Sequence, residues 1–336
     1  TNYFETVPRG AMDLALWLEA DRHGRLLDAV SQENLDNQRD VVKEEKRQRY
    51  DNVPYGNALI DIYATVFPPG HPYHHPTIGS MEDLDAASLQ DVHDFFRTFY
   101  GPNNSVLTLV GDLSADEGFA SAARYFGPLP ASAAPTAVPG EPLEPLVEPV
   151  RLTRRERVPN DRLHLAFRLP VDNSAAFFAC ALAMDALGGL NSSRLVQRLV
   201  REEQVATSLS AHTMGFVGGV SLGFITADVA EGADPDAVEA AICEELERFA
   251  EKGPSAIEME CALAATERAW LSALASQEER ADYICHFTLL QDDPQYVNTF
   301  LDRVAAVTAE QTRDAAARWL APHGRAVVAY LRRDAE

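Results

Sequence analysis

The 336-residue chain has no long apolar run and comparatively few basic residues. No uninterrupted hydrophobic stretch approaches the roughly 20 residues that a membrane-spanning helix needs, so no membrane span is expected. Only 29 Lys and Arg residues oppose 51 Asp and Glu residues, which gives a net charge of −22. This charge repels phosphate backbones, so no nucleic-acid partner is expected, and neutral or basic peptides fit the chain better.

The sequence also lacks the signatures of several enzyme classes. Its four cysteines form no C-x-x-C pair, and it has no Gly-x-Ser-x-Gly elbow and no G-x-x-x-x-G-K phosphate loop. The cysteines are therefore predicted to be buried thiols, and serine hydrolysis has no support. The chain starts at Thr1 without a signal-like segment, so we expect the true amino terminus upstream, and the compartment is not indicated.

Length and composition indicate two globular domains. A chain of this size with 46% hydrophobic and 24% charged residues suits two cores of roughly 150 residues each. Residues 128–150 hold seven of the twenty prolines and show neither helical nor strand periodicity, which predicts an interdomain linker. We therefore expect a first domain over residues 1–127 and a second over residues 151–336.

Apolar periodicity predicts a largely helical first domain. Helices are predicted over residues 11–30, from Ser31 through Arg49, and up to Phe67. After a loop rich in Pro, Gly and His come a helix over 88–100, a turn over 101–104 and a strand over 105–110. Beyond the linker, the predicted elements are a strand over 163–169, helices over 174–187 and 192–203, strands over 206–212 and 217–227, and long helices from 234 to 290.

The end of the first domain is repeated at the end of the second. Pro322 stands where Pro102 does, at an offset of 322 − 102 = 220. We therefore predict that residues 88–111 and 308–331 share a helix, a turn and an edge strand, as two copies of one α/β unit. The second copy starts near Arg151, and 151 − 220 = −69, so we expect the first copy to lack about seventy residues, including its opening strands and first helix.

Glu45 is the strongest candidate for a residue with a chemical role. At 3.6 residues per turn, one face of the second predicted helix carries Leu35, Gln38, Val42 and Glu45, and this stripe is expected to point mostly inward. An inward carboxylate needs a partner. A carboxylate in a charge-rich helix is also commonly solvated or paired with Lys or Arg, so the spacing alone leaves a structural carboxylate and a metal ligand both open.

An ordered series of motifs carries a resemblance to a known family. Gln38-Arg39-Asp40-Val41-Val42-x-x-Glu45 is followed by His71-Pro72-Tyr73, Ile78-Gly79 and Tyr100-x-Pro-Asn-Asn-x-x-Leu-x-x-Val-Gly-Asp112. This series resembles the pitrilysin/insulinase family of zinc metallopeptidases over essentially the whole chain, most strongly over residues 1–115.

The resemblance implies an α+β fold of two homologous mixed α/β domains, each a sheet packed with helices, that form half of a clamshell. A partner chain or a further stretch of polypeptide supplies the second homologous half, and a peptide substrate is enclosed between them. The implied activity is that of a zinc-dependent metalloendopeptidase. In the family, an early His-x-x-Glu-His helix supplies two zinc ligands and a general base, and the glutamate matching Glu45 is the third ligand.

The sequence departs from the family pattern at two positions that bear on the metal. No His-x-x-Glu-His occurs, so we expect that motif upstream of Thr1, no catalytic residue in this chain and no activity for the chain alone. Many relatives have a glutamate at Gln38, where glutamine can hydrogen-bond to a metal ligand without touching the metal. Thr207 replaces the tyrosine of a peptide-anchoring pair in relatives, which indicates the zinc-side half.

Two further interpretations compete with a zinc site at Glu45. His71, His74 and His75 resemble a metal cluster, but their loop has no regular element to fix them, which favours an ordinary exposed loop. A non-catalytic scaffold or core subunit of the same fold is the alternative function. Glu45 favours the enzyme, whereas the second domain, without a histidine in its helix over 174–187, is predicted to hold no metal.

Overall fold

The computed structural model describes residues 1–133 and 140–333. Within these residues the α-helices are α1 (Met12–Ala29), α2 (Gln32–Lys46), α3 (Ala58–Val66), α4 (Met81–Ala86), α5 (Leu89–Phe99), α6 (Ala115–Phe126), α7 (Ala175–Met184), α8 (Pro235–Lys252), α9 (Ala256–Ala275), α10 (Gln277–Gln291), α11 (Tyr296–Ala305) and α12 (Ala309–Trp319). The strands are β1 (Val150–Glu156), β2 (Arg162–Leu169), β3 (Ala206–Met214), β4 (Ser221–Val229) and β5 (Ala326–Arg332). None of the described helices combines the length and apolar character that crossing a bilayer requires.

Polar side chains fix the starts of the helices that the sequence predicts. Ser31 Oγ accepts a hydrogen bond from the backbone N–H of Asn34 at 3.2 Å, at the start of α2. Ser88 at the start of α5 and Thr308 at the start of α12 each form a reciprocal capping box with the residue three positions later. The predicted helix starts at Ser31, Ser88 and Thr308 are therefore confirmed.

The chain divides into two compact units. Unit 1 comprises the described residues of Thr1–Lys43, Ser80–Val138 and Glu267–Leu301, and unit 2 those of Glu44–Gly79, Pro139–Thr266 and Asp302–Glu336. Each unit thus draws on both halves of the chain. The predicted domain boundaries around the linker over 128–150 stay a prediction, and residues 134–139 of that linker lie outside the described residues.

Unit 2 contains a five-stranded sheet in the order β1-β5-β2-β4-β3. β1 runs parallel to β5, whereas the other neighbouring pairs are antiparallel. Helices α7, α8 and α12 pack together beside the sheet, and α3 packs against β1, β2 and β5. A mixed sheet packed with helices confirms the predicted α+β fold class.

Helix α3 encloses an aromatic core with the sheet of unit 2. Ile62, Val66 and Phe67 are almost completely buried, and they pack in one cluster with Val328 and Tyr330 of β5. Burying a side chain of this size contributes roughly 1.5–3 kcal/mol. The contact therefore holds α3 firmly on the sheet.

An ion pair between a buried carboxylate and an arginine that reaches solvent lies beside this core. Asp61 of α3 accepts hydrogen bonds from Arg154 Nε at 3.0 Å and Arg154 Nη2 at 2.6 Å, and from the Tyr330 hydroxyl at 2.7 Å. Burial raises the pKa of Tyr330, and the hydrogen bond to Asp61 raises it further. The carboxylate thus has the charged and polar partners that a buried charge requires.

His164 makes the stability of unit 2 sensitive to pH. Burial lowers its pKa from 6.5 to about 4, with a further lowering by Arg162 that outweighs the opposing effect of Asp228. Because the folded pKa lies below the unfolded one, this stabilisation is present above about pH 6.5 and is lost as the pH falls towards 4. We expect the contribution of His164 to the free energy of unfolding in urea to fall by about 2–3 kcal/mol between pH 7.5 and 4.5, measured as the difference from a variant without the ring. The difference is needed because burial raises the pKa of Asp185 to about 6, which shifts the total stability in the opposite direction as the pH falls.

The matched variant for this pH effect is His164→Gln. It removes the titrating ring, so its unfolding free energy should lack the fall that His164 causes over the same pH range. The carboxyl group of Asp185, whose pKa burial raises to about 6, titrates in both proteins and cancels in the comparison. The paired carboxylate of Glu258 has a pKa lowered to about 2. Parallel pH profiles for the two proteins would contradict the assignment to His164.

The helices of the first half recur in the second half. The first residues of α5 and α12 differ by 309 − 89 = 220, and those of α3 and α10 by 277 − 58 = 219. Short 3₁₀ turns, Pro102–Asn104 and Pro322–Gly324, follow α5 and α12. The predicted repetition of the helix and the turn is therefore confirmed.

The repeat differs at the strand that follows the turn. Residues 105–110 form no strand, so that prediction is wrong, and β5 lies between β1 and β2 rather than at an edge of the sheet. A strand is defined by backbone hydrogen bonds to its neighbours. Among the described residues no strand pairs with 105–110, which accounts for the difference.

Candidate functional site

Basic side chains anchor helix α2, which carries Glu45, to the segment around α4. Arg39 Nε donates to the carbonyl of Leu84 at 2.9 Å, and Arg39 Nη2 donates to the carbonyl of Ala87. Lys43 pairs with Asp85 in the same segment. These contacts fix the rotation of α2 about its own axis and hence the direction in which its carboxylates point.

The stripe predicted to point inward is only half-buried. Leu35, Val42 and Glu45 are half-buried, Gln38 is exposed, and no residue of α2 is fully buried. The inward position expected for Gln38 is therefore wrong. The reason is that α2 turns the face of Arg39, not that of Gln38, towards its neighbour.

Glu45 is available at the surface of unit 2. Its Oε1 forms an ion pair with Arg49 Nη1 at 2.8 Å, and the side chains of Glu45 and Arg49 are 38% and 73% exposed. Glu44 pairs separately with Arg47 at 3.1 Å, because adjacent residues of a helix point about 100° apart. Exposed pairs of this kind contribute about 0–1 kcal/mol, so little holds Glu45 to Arg49.

The residues of this chain do not fit a zinc ion on their own. Within residues 1–133 and 140–333 no three His, Cys, Asp or Glu side chains are grouped so that they could hold a metal. A zinc centre in an enzyme usually has three protein ligands. Glu45 can therefore act as a ligand only together with residues that these segments do not contain.

The three histidines of the loop have separate hydrogen bonds. His71 Nδ1 accepts from the backbone N–H of Tyr73 at 3.1 Å, and His74 Nδ1 lies 2.7 Å from the carbonyl oxygen of Phe67. His71 is buried and stacks on the Phe67 ring, and a short 3₁₀ helix spans Pro72–His74. The expectation of an exposed loop without regular structure is therefore wrong for His71, because the aromatic core of α3 extends into it.

The second half carries different residues at the positions of the two predicted site residues. Helices α2 and α9 begin at residues that differ by 256 − 32 = 224, so Glu45 corresponds to Ala269 and Gln38 to Ala262. Glu258, in the first turn of α9, corresponds to Asn34. Glu258 accepts from Arg194 Nε at 2.6 Å and from Nη2 at 2.8 Å. Burial alone would raise the pKa of Glu258, but the hydrogen bonds from Arg194 lower it to about 2.

Sequence reasoning missed the buried carboxylates Asp61, Glu239 and Glu245 and the paired carboxylate Glu258. Two of them had a signal in the sequence. Asp61 is the single charged residue of the apolar helix α3, and Glu258 follows Ser255 with the three-residue spacing of a capping box. A lone charge in an apolar helix indicates a buried partner, because an unpaired buried charge is costly.

Comparison with known proteins places these features in a family. Residues 86–265, more than half of the chain, match the peptidase M16 inactive domain. The chain is 28% identical over 217 residues to zinc protease PqqE of Helicobacter pylori, covering 64% of this chain and 48% of that protein. It is 24% identical over 294 residues to an uncharacterized zinc protease of Streptomyces coelicolor, covering 84% and 62% respectively.

Solved structures share the fold. A protease from Helicobacter pylori superposes with a TM-score of 0.86 at 22% identity, covering 97% of this chain and 77% of the other. The peptidase M16 inactive domain from Pseudomonas fluorescens gives 0.81 at 20% identity, covering 98% and 76%. The chain spans about half the length of curated relatives that it matches. From the family match over residues 86–265, the chain belongs to the peptidase M16 family, which is the pitrilysin/insulinase family that its motifs resemble.

Proposed function

We propose that the full-length protein, meaning the complete product of the gene, is a zinc-dependent metalloendopeptidase to which this chain supplies the ligand Glu45. The observation that carries the proposal is membership of the peptidase M16 family together with curated relatives named zinc proteases. The two histidine ligands and the general base would then come from residues outside the chain, so no catalytic residue is assigned within it and the chain alone is expected to be inactive.

The geometry of α2 supports Glu45 as the ligand. Its carboxylate is half-exposed, and its ion pair with Arg49 is a weak surface contact, so a metal can replace Arg49 at small cost. We propose that Gln38, two turns earlier, hydrogen-bonds to a metal ligand.

The domain assignment follows from the same proposal. Residues 1–127 would be the carboxyl-terminal part of the zinc-side domain, 128–150 the linker and 151–336 a second domain without metal ligands. Ala269 at the place of Glu45 supports the absence of a metal there. A second homologous half would complete a clamshell around a peptide substrate, and the net charge of −22 favours neutral or basic peptides.

The competing function is a non-catalytic core subunit. The family match over residues 86–265 is to an inactive domain, and it does not include Glu45. That match describes the role of the second half and fits either function. The carboxylate retained at Glu45 is the feature that separates them, because a scaffold has no use for a metal ligand.

Peptide cleavage by the full-length protein tests the proposal. We expect a mixture of neutral and basic peptides to be cleaved internally, cleavage to stop after a zinc chelator is added, and activity to return with zinc. Chain 1–336 is the matched control and should cleave nothing. Full-length protein that is folded and zinc-loaded yet cleaves no peptide would favour the core-subunit function.

A further inference from the structure

The segment that follows Glu45 belongs to the same compact unit as the sheet. The division between the two units falls within α2, after Lys43, so Glu45 is grouped with unit 2. Helix α2 ends at Lys46, and a π-helical turn over Arg47–Asp51 follows it directly. Turns of this kind are rare and frequently occur at functional sites. The direction of the Glu45 carboxylate therefore also depends on how the residues after α2 are attached to the sheet.

Tyr55, between the π-helical turn and α3, has an unusual backbone conformation. Its φ is +61°, in the left-handed region that a bulky side chain rarely adopts. Such a conformation is unfavourable and persists only where surrounding contacts impose it. Tyr55 is also buried, in the cluster that α3 forms with the sheet. The contacts of its side chain are therefore expected to hold this part of the backbone in place.

The sheet holds the Tyr55 side chain at its hydroxyl and at its ring. The hydroxyl donates to the carbonyl of Asn160 at 2.6 Å and accepts from the backbone N–H of Asn160 at 3.0 Å, just before β2. The Arg162 guanidinium of β2 lies 3.7 Å from the centre of the ring, a cation–π contact. Arg162 is itself paired with Asp228 of β4 at 2.6 Å. Two strands thus clamp the tyrosine.

The backbone beside Tyr55 packs directly on the π-helical turn. A Cβ atom at Gly56 would overlap the carbonyl oxygen of Tyr50, so the two backbones touch and only glycine fits here. Tyr50 lies within the turn, which begins two residues after Glu45. A continuous series of contacts therefore runs from the sheet, through Tyr55 and Gly56, to the turn next to Glu45.

We propose that Tyr55 is a positioning residue for Glu45. By clamping the segment after α2 to the sheet, it fixes the direction in which that carboxylate points. Groups that orient a metal ligand in this way influence metal binding without touching the metal. The second half of the chain, although proposed to hold no metal, then helps to build the metal site. The role of Glu45 rests on the proposed function, whereas the clamp exists whether or not zinc is bound.

Hydrogen exchange in chain 1–336 tests the clamp without zinc. Tyr55→Phe removes the hydroxyl that bonds to Asn160 and keeps the ring. We expect the amides of residues 47–52 to exchange at least about tenfold faster in this variant, because the turn opens locally, while those of β4 stay unchanged. Tyr73→Phe is the matched control, since the Tyr73 hydroxyl also accepts from a backbone N–H of the second half, that of Gly218 at 2.9 Å. It should leave exchange over residues 47–52 unchanged.

Zinc affinity of the full-length protein tests the consequence for Glu45. We expect Tyr55→Phe to weaken zinc binding by roughly 10- to 100-fold in competition with a chelator, as is typical when a group that orients a ligand is changed. Tyr73→Phe should bind zinc as the unsubstituted protein does.

Three results would overturn the proposal. They are unchanged exchange over residues 47–52 in Tyr55→Phe, equally faster exchange throughout unit 2, and unchanged zinc affinity of Tyr55→Phe in a protein whose Glu45→Gln variant loses zinc. Full-length protein that binds no zinc would instead contradict the proposed function, and the exchange measurement would still decide whether Tyr55 clamps the turn.

Discussion

Replacing Glu45 by glutamine in the full-length protein is expected to lower peptide cleavage by at least about 100-fold, beyond the roughly 10- to 100-fold effect typical of groups that only contact a ligand. An amide in place of a carboxylate removes most of the attraction to Zn²⁺ and leaves the side-chain volume nearly unchanged. Folding should survive, because Glu45 is half-exposed and its pair with Arg49 contributes little to stability. The defect should therefore follow the zinc content of the purified variant.

Two neighbours provide matched controls for Glu45. Glu44 is exposed and pairs with Arg47, so Glu44→Gln should change cleavage less than about threefold, as expected for a surface pair. Gln38→Ala should fall between the two, with a loss of roughly 10- to 100-fold, if Gln38 contacts a metal ligand. If cleavage required Glu44 and not Glu45, the assignment of Glu45 as the ligand would be wrong by one residue.

Replacing Asp61 by alanine is expected to destabilise chain 1–336 by about 3 kcal/mol. The substitution leaves the Tyr330 hydroxyl buried without its acceptor and Arg154 without its counter-charge. Breaking a buried pair in this way typically costs about 3–5 kcal/mol, and we take the lower end because the Arg154 side chain is 46% exposed and can regain water. Urea unfolding at pH 7.5 measures the difference.

Asp314→Ala is the matched control for Asp61→Ala. Asp314 also pairs with an arginine, Arg313, at 2.7 Å, but its side chain is 62% exposed. Its loss should cost less than about 1 kcal/mol. If Asp61→Ala and Asp314→Ala lower the free energy of unfolding by the same amount, burial does not strengthen the Asp61 pair. In that case α3 is held on the sheet by its apolar contacts alone.

Helices with an apolar stripe were the elements that the sequence predicted best, and α5 also has a polar cap at Ser88. The helices predicted over 11–30 and 88–100 correspond to α1 and α5 within one residue at each end. Both signals are local, because the cap and the stripe lie within the helix itself. The family resemblance, which rests on an ordered series of short motifs, was confirmed by the match over residues 86–265.

Strands and short helices were predicted less well, because they depend on partners far along the chain. Strand β1 was missed because it is an edge strand with three Arg residues among its seven. Its partner β5 also lies far along the chain, since Val150 pairs with Ala326 and 326 − 150 = 176. Helices α4, α6 and α11 were also missed. The strand predicted over 217–227 was placed four residues early, since β4 begins at Ser221.

The candidate site could be predicted only in part. The resemblance identifies Glu45, and the structure places its carboxylate at a half-exposed position with a replaceable partner. A zinc site is assembled from residues distant in sequence, and the described residues contain no group of three His, Cys, Asp or Glu side chains that could hold a metal. The exposed position of Gln38 was not predicted, since a helical stripe gives the relative directions of side chains but not the contacts that α2 makes through Arg39.

Zinc content tests the central claim most directly. Full-length protein, its Glu45→Gln variant and chain 1–336 are dialysed against zinc-free buffer and analysed by mass spectrometry for metal per polypeptide. We predict one zinc per full-length chain, a large loss of zinc in the variant and none retained on chain 1–336. Stoichiometric zinc on chain 1–336, or full zinc occupancy in the Glu45→Gln variant, would contradict the assignment of Glu45 as a ligand shared with residues outside this chain.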